Sequence, residues 1–314
     1  MSGLMTVFYK ELADAFTGWR FIISFALILI AGGYAIYVTA ESISEVAQAL
    51  ETGLVFLLLF TTPSETMPSF LTLIVFLVPI VGIVFGFDAI NSEKNSGTLS
   101  RLLSQPIYRD AVINGKFLAG VVTIAILMTS IILLVAGIGL RMIGVPPGPE
   151  EVWRLVFFLL ATIVYGAFWL GLAMLFSIFF RRVATSALAT IAVWIFLIFF
   201  MFLVAGFIAN MIVPIDPQTS TYQEGIRNEQ ARAMVMRASP LTLFQEAVIV
   251  LLVPGVRTLG FITQEVRAYM LPNPLSFDQS LLIVWPHLVV LIALTVVCFA
   301  ISYIKFMREE IRST

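Results

Sequence analysis

The sequence predicts an all-α integral membrane protein, a bundle of six transmembrane helices. Three observations predict it. Hydrophobic residues make up 60% of the 314 residues and charged ones only 12%, where a soluble domain carries about 25% charge. A mean hydropathy of +1.02 leaves too few polar side chains to make a water-facing surface. The apolar residues also fall in long runs without strand-like alternation. About 20 such residues cross a bilayer as a helix, so helices rather than a β-barrel satisfy the backbone there.

Taken in order, residues 1–20 form an amphipathic segment, with Phe8, Leu12, Ala15 and Phe16 opposite Lys10, Glu11 and Asp14. The apolar runs 21–40, 69–90, 117–140, 155–180, 184–213 and 281–304 are the six spans. The first exceeds a signal-peptide core of about 7–15 residues, so it reads as a retained span. Leu54 to Phe60, between Gly53 and Pro63, is too short to cross and reads as an interfacial piece. The chain then divides into the amphipathic segment 1–20, spans one to five over 21–208, an extracytoplasmic loop 209–280, the last span 281–304 and a tail 305–314.

Basic residues orient the bundle. With the N-terminus inside, 11 Lys and Arg lie on the cytoplasmic side and 7 outside. Five of those outside sit in the long fifth loop, where the rule has little force. The first outer loop carries only acidic residues, Glu41, Glu45, Glu51 and Glu65. Both termini are expected in the cytoplasm and the protein in the inner membrane. Within the fifth loop, Gln223 to Arg237 is a polar helix candidate with Glu224/Arg227 and Glu229/Arg232 at helical spacing. Ser239-Pro240 then offers an N-cap and a first-turn proline. The run from Leu241 to Val253, interrupted by Gln245 and Glu246, reads as an amphipathic helix on the outer membrane face.

Absences narrow the function. Apart from Asp88 at the inner end of the second run, the six apolar cores hold no Asp, Glu, Lys or Arg, the groups by which ion-coupled carriers bind and release their ion. Gly115-Lys116-Phe117 lacks the flanking residues of a phosphate loop, and no HExxH or GxSxG motif occurs. One Cys, Cys298, and one His, His287, give neither an internal disulfide nor a Cys/His metal cluster. His287 reads as a satisfied helix-end residue, and Met234 and Met236 as packing residues rather than copper ligands. A net charge of −1 does not favour nucleic acid. Gly82/Gly86, Ala167/Gly171 and Ala173/Ser177 are small-residue pairs at helix-contact spacing, read as packing within the bundle. The aromatic run Trp194, Phe196, Phe199, Phe200 and Phe202 reads as a lipid-facing or packing surface.

The loop 88–116 is the informative one. Gly97 breaks the helix leaving the second span, and Thr98 caps a short new one. That helix carries Leu99, Leu102 and Leu103 on one face and stops at Gln105-Pro106. Two readings of this apolar stripe stay open on pattern alone: a helix resting on lipid headgroups, or a helix offered to a groove on a partner protein.

The run Phe87-Asp88-Ala89-Ile90, Glu93-Lys94, Gly97-Thr98-Leu99, Leu102-Leu103-Ser104-Gln105-Pro106, Arg109 and Gly115-Lys116 resembles the signature of ABC-type-2 permeases. It is most like the branch serving copper maturation of nitrous-oxide reductase. The resemblance implies a homodimer of permeases, with membrane lipid around it and two ABC-type ATPase subunits that hold ATP and Mg. No cofactor is expected on this chain. It implies an elbow helix over 1–20 and a coupling helix that docks in the ATPase. The coupling residues would be Asp88, Glu93, Lys94, Gly97, Thr98, Leu99, Leu102, Leu103, Gln105, Pro106 and Arg109. The expected function is therefore the permease subunit of an ABC exporter, without a nucleotide site of its own. The chain would either form a translocation path or transmit motion to an extracytoplasmic protein at 209–280. The alternative is a self-contained ion-coupled carrier or intramembrane enzyme.

Overall fold

A computed structural model describes residues 3–47, 54–64, 66–98, 107–215, 221–253, 255–256 and 275–308. Among these residues there is no strand, and six helices are long and apolar enough to cross a membrane. Helix α1 (Gly3–Thr17) leads into α2 (Trp19–Ala47); α3 (Val55–Thr61) and α4 (Phe70–Gly86) follow. Then come α5 (Asn91–Asn95), α6 (Arg109–Ile143) and α7 (Pro149–Phe179). The fifth span is α8 (Val183–Ile195), a π turn (Phe196–Phe200) and α9 (Met201–Ile212). Helices α10 (Tyr222–Met236) and α11 (Pro240–Leu252) precede the last span, α12 (Phe277–Arg308).

Local chemistry sets the boundaries. Ser69 caps α4, its hydroxyl accepting the Thr72 N–H at 3.3 Å. Gly144, at φ +74°, ends α6 in the left-handed conformation that glycine adopts without a Cβ clash. Pro149 opens α7 at a position where its missing N–H costs nothing. Helix α7 is the centre of the bundle, packing against α4, α12, α6 and α11. Tyr165, Trp169 and Phe158 on it are fully buried, and the Tyr165 ring stacks on Phe244 of α11 at 4.2 Å. The glycine pairs work inside this core. A methyl on Gly82 would stand 2.7 Å from Trp169 Cβ, and one on Gly86 2.7 Å from Ala173 Cβ, so α4 and α7 meet backbone to backbone.

Four expectations are corrected. The segment around Leu54 to Phe60 is no interfacial piece: Val55, Phe56, Leu57, Leu59 and Phe60 of α3 are all buried, with the Phe60 ring edge-on to Phe70. Helix α11 does not lie on the membrane face either. Ten of its thirteen residues are buried; of the polar interruption, Gln245 is exposed and Glu246 pairs with Arg237 and His287. Ser239 stands at its N-cap but makes no side-chain cap bond. His287 is interior to α12 and not at a helix end, its Nε2 lying 2.8 Å from Glu246 Oε2.

Helices α10 and α11 meet at 110°, and α10 doubles back along the fifth span. Asn228 Nδ2 donates to Asn210 Oδ1 and to the Val213 carbonyl at 2.8 and 2.7 Å. Farther along, the Arg232 guanidinium sits 3.7 Å above the Phe202 ring. Met236 packs with Met201 and Ala205, a packing role as expected, whereas Met234 is exposed. The aromatic run keeps an outward aspect at Phe196, Phe199, Phe200 and Phe202, all exposed. Outside the described residues lie 216–220, 254 and 257–274 of the fifth loop and the tail after Arg308.

Candidate functional site

The end of the bundle that carries α1 also carries the flanks of the 88–116 loop. Leu99, Leu102, Leu103, Gln105 and Pro106 lie outside the described residues. The structure does show how the chain on either side of them is held. Asp88, just past α4, takes both Arg20 amines, Nη1 to Oδ1 at 2.8 Å and Nη2 to Oδ2 at 2.6 Å. Such a two-bond fork fixes orientation as well as distance. It ties the exit of the second span to the entry of the first, and the Arg20 guanidinium also lies 5.2 Å from the Phe87 ring centre.

Glu93 and Lys94 sit on α5. Glu93 Oε1 receives the Lys116 ammonium at 2.8 Å and faces Lys10 at 3.7 Å. Gly97 has φ +69°, a backbone only glycine adopts freely, and so turns the chain where the sequence predicts a break. Thr98 Oγ1 reaches back to the Glu93 carbonyl at 3.4 Å and touches Ser96 Oγ at 2.8 Å. Arg109 opens α6. Among the described residues, then, Asp88, Glu93, Lys94, Gly97 and Thr98 form the descending flank and Arg109 the returning one.

Lys116, next to Gly115 at the start of α6, gathers both flanks. Its side chain is only 5% exposed and pairs with Glu11 of α1 and Glu93 of α5, each at 2.8 Å. Gly115 makes this possible, because a methyl there would lie 2.9 Å from Val7 Cγ1 on α1. Burial pushes the Glu11 carboxyl up, but Lys116 and Lys10 beside it outweigh that and hold it below the usual carboxylate range. Around these charges lies a cavity of about 490 Å3 lined by Lys10, Glu11, Asp88, Glu93 and Lys116 with Phe85 and Met174 at its apolar side. Among the described residues, the arrangement is made of ion pairs and close helix contacts. Its chemistry is positional: α1, α2, α5 and α6 are clamped around the root of one loop.

Helix α7 supplies partners that sequence reasoning missed. Buried Ser177 Oγ accepts the N–H groups of Ile90 and Asn91 at 3.0 and 3.1 Å. The sequence marked Ser177 only as a small residue. At the opposite end, Arg154 is fully buried and donates to Glu150, to the carbonyls of Leu251 and Leu275, and to Ser280. Glu151 accepts the N–H groups of Phe56 and Leu57 with one oxygen and that of Gly148 with the other. Lys116 and Arg154 stood one residue outside the predicted cores, so the reading that the spans lack buried charge is corrected too. The recoverable signal was Pro149-Glu150-Glu151, a helix start that sets Arg154 one turn inside.

The model of the ABC-2 family transporter proteins matches residues 5–311. The chain belongs to the ABC-2 transporter family. This ABC-2 permease is also similar to the probable ABC transporter permease protein NosY of Pseudomonas aeruginosa, 33% identical over 119 residues, covering 38% of each chain. NosY of Stutzerimonas stutzeri is 26% identical over 203 residues, covering 62% of this chain and 66% of that protein. The matches thus span less than two thirds of either relative's length. The family match takes in the whole clamp, from Lys10 to Lys116.

Proposed function

We propose that this ABC-2 permease is the membrane-spanning subunit of an ATP-driven exporter, working with a separate ATPase that docks on the 88–109 segment. The observation that carries the reading is the clamp on both flanks of that segment. Arg20–Asp88 and Lys116–Glu93–Lys10 join it to three helices, so force on the loop is delivered to spans rather than lost in a slack connection. ATP and Mg belong to the ATPase, and this chain contributes no nucleotide site. On this reading α1 is the elbow helix, both termini are cytoplasmic and the inner membrane is the site of action.

Two ATPase copies would serve two permeases. The exposed apolar residues of the fifth span, including Phe199, Leu203, Phe207 and Met211, support a second permease copy or lipid against that face. The 209–280 region, with the polar outward residues of α10, is the surface for an extracytoplasmic protein. A proton-coupled carrier would use the buried His287–Glu246 pair. Arg237 also donates to that same carboxylate oxygen, at 2.9 Å, which makes the contact a brace between helices rather than an ion site.

The experiment is co-purification of the permease with its ATPase before and after Leu102→Asp and Leu103→Asp. Association should fall at least tenfold while the permease remains folded and membrane-inserted. Equal recovery of the ATPase with wild type and variants would remove this segment as the docking site.

A further inference from the structure

Resting on the docking reading above, we propose that α7 is a rigid strut. Ser177 joins it to the coupling loop, and Glu151 and Arg154 join it to three elements at the opposite end of the bundle. The strut has 31 residues, about 46 Å at 1.5 Å per residue, with no proline beyond its first position. At the loop end, α5 does not simply continue the helix of the second span. The N–H groups of Ile90 and Asn91 turn to Ser177 Oγ, and Asn95 Nδ2 donates to the Arg181 carbonyl at 3.1 Å. The root of the loop is thereby bonded to α7.

Along the shaft, Gly82 and Gly86 bring α4 against α7 with no space for a methyl between them, and close-packed interfaces of this kind transmit displacement without compressing. At the far end the charged first turn makes three attachments. Glu151 receives the first N–H groups of α3 at 2.9 and 3.3 Å. Arg154 donates to the last turn of α11, at the Leu251 carbonyl, at 2.7 Å. The same guanidinium holds the approach to α12 through Leu275 and Ser280 at 2.7 and 3.1 Å. A buried guanidinium with all these acceptors is pre-organised and has no water to exchange with, so α3, α11 and the start of α12 move with α7. Ser177, Glu151 and Arg154 are positioning residues: their role is to pass movement of the loop to the opposite face.

The test uses the permease–ATPase complex in nanodiscs, on a Cys298→Ser background. An environment-sensitive fluorophore is placed on exposed Tyr108→Cys, within the docking segment, or exposed Asp278→Cys, at the start of α12. In the parent protein, ATP with vanadate should change the emission at both positions. In Arg154→Gln, and independently in Ser177→Ala, the signal at 108 should persist. The signal at 278 should fall at least threefold, and Arg154→Lys should restore part of it. Ser177→Ala removes one hydroxyl and guards against a folding failure of the arginine variant. A signal at 278 that survives in both variants overturns the strut. A parent complex silent at 108 overturns the docking reading, and the strut with it.

Discussion

Lys116 shows how a single buried side chain organises one end of this protein. It pairs with Glu11 and Glu93 at once, and its removal leaves both carboxylates to Lys10, whose side chain is half exposed. Breaking a buried pair by deleting one partner costs roughly 3 kcal/mol or more. Lys116→Met should therefore lower thermal stability in detergent at pH 7 by that order, read as a shift in unfolding midpoint. The pH dependence follows from Glu11, whose folded carboxyl titrates below its ordinary 4.5. A depressed carboxylate contributes stability above the unfolded value and loses it as pH falls through the folded one. The gap between wild type and Lys116→Met should accordingly be full at pH 7 and narrow progressively below about pH 4.5. A gap that does not change with pH would rule out the ion pairs as its source.

At the scale of elements, the α4–α7 seam is the sharpest case. A methyl on Gly82 meets not only Trp169 Cβ but also the Gly166 carbonyl oxygen at 2.8 Å, and neither can rotate away. Overpacking of this kind costs about 1–3 kcal/mol. Gly82→Ala should lower the unfolding midpoint, while Gly137→Ala on α6, where the added methyl meets nothing within 4 Å, should not. Equal effects would show that helix propensity, not the seam, decides. This seam was legible in the sequence as small residues four apart, as were all six spans, whose lengths the bilayer fixes. The burial of α3 and α11 was not legible. Both are shorter than a span, and nothing local reveals that Glu151 and Arg154, about a hundred residues away in the chain, hold their ends. Glu246 read as a polar blemish on a surface helix because its partners, Arg237 and His287, come from two other helices. In the candidate site, Asp88, Glu93 and Gly97 were visible from motif order, whereas Ser177 carries no signature at all.

At the scale of the whole molecule, the bundle places α1 and the loop flanks at one end and the attachments of α3, α11 and α12 at the other. The six-span topology with cytoplasmic termini requires that residues on α10 and after α12 face opposite sides. Single cysteines at Gln230→Cys and Glu310→Cys, without Cys298, should react with a membrane-impermeant thiol reagent from the outside and the inside of oriented vesicles respectively. Labelling of both from one side would end the six-span topology.

The π turn at Phe196–Phe200 gives this architecture a further property. A π turn inserts one residue into an α-helical count, so the lateral direction of every later side chain is swung by about 100° relative to an unbroken helix. The fifth span is therefore two half-columns with different headings: α8 addresses one neighbour and α9 another. Because Asn210 and Val213 hold α10 through Asn228, a swivel at this aromatic joint carries the polar helix round with α9 while α8 stays where it is.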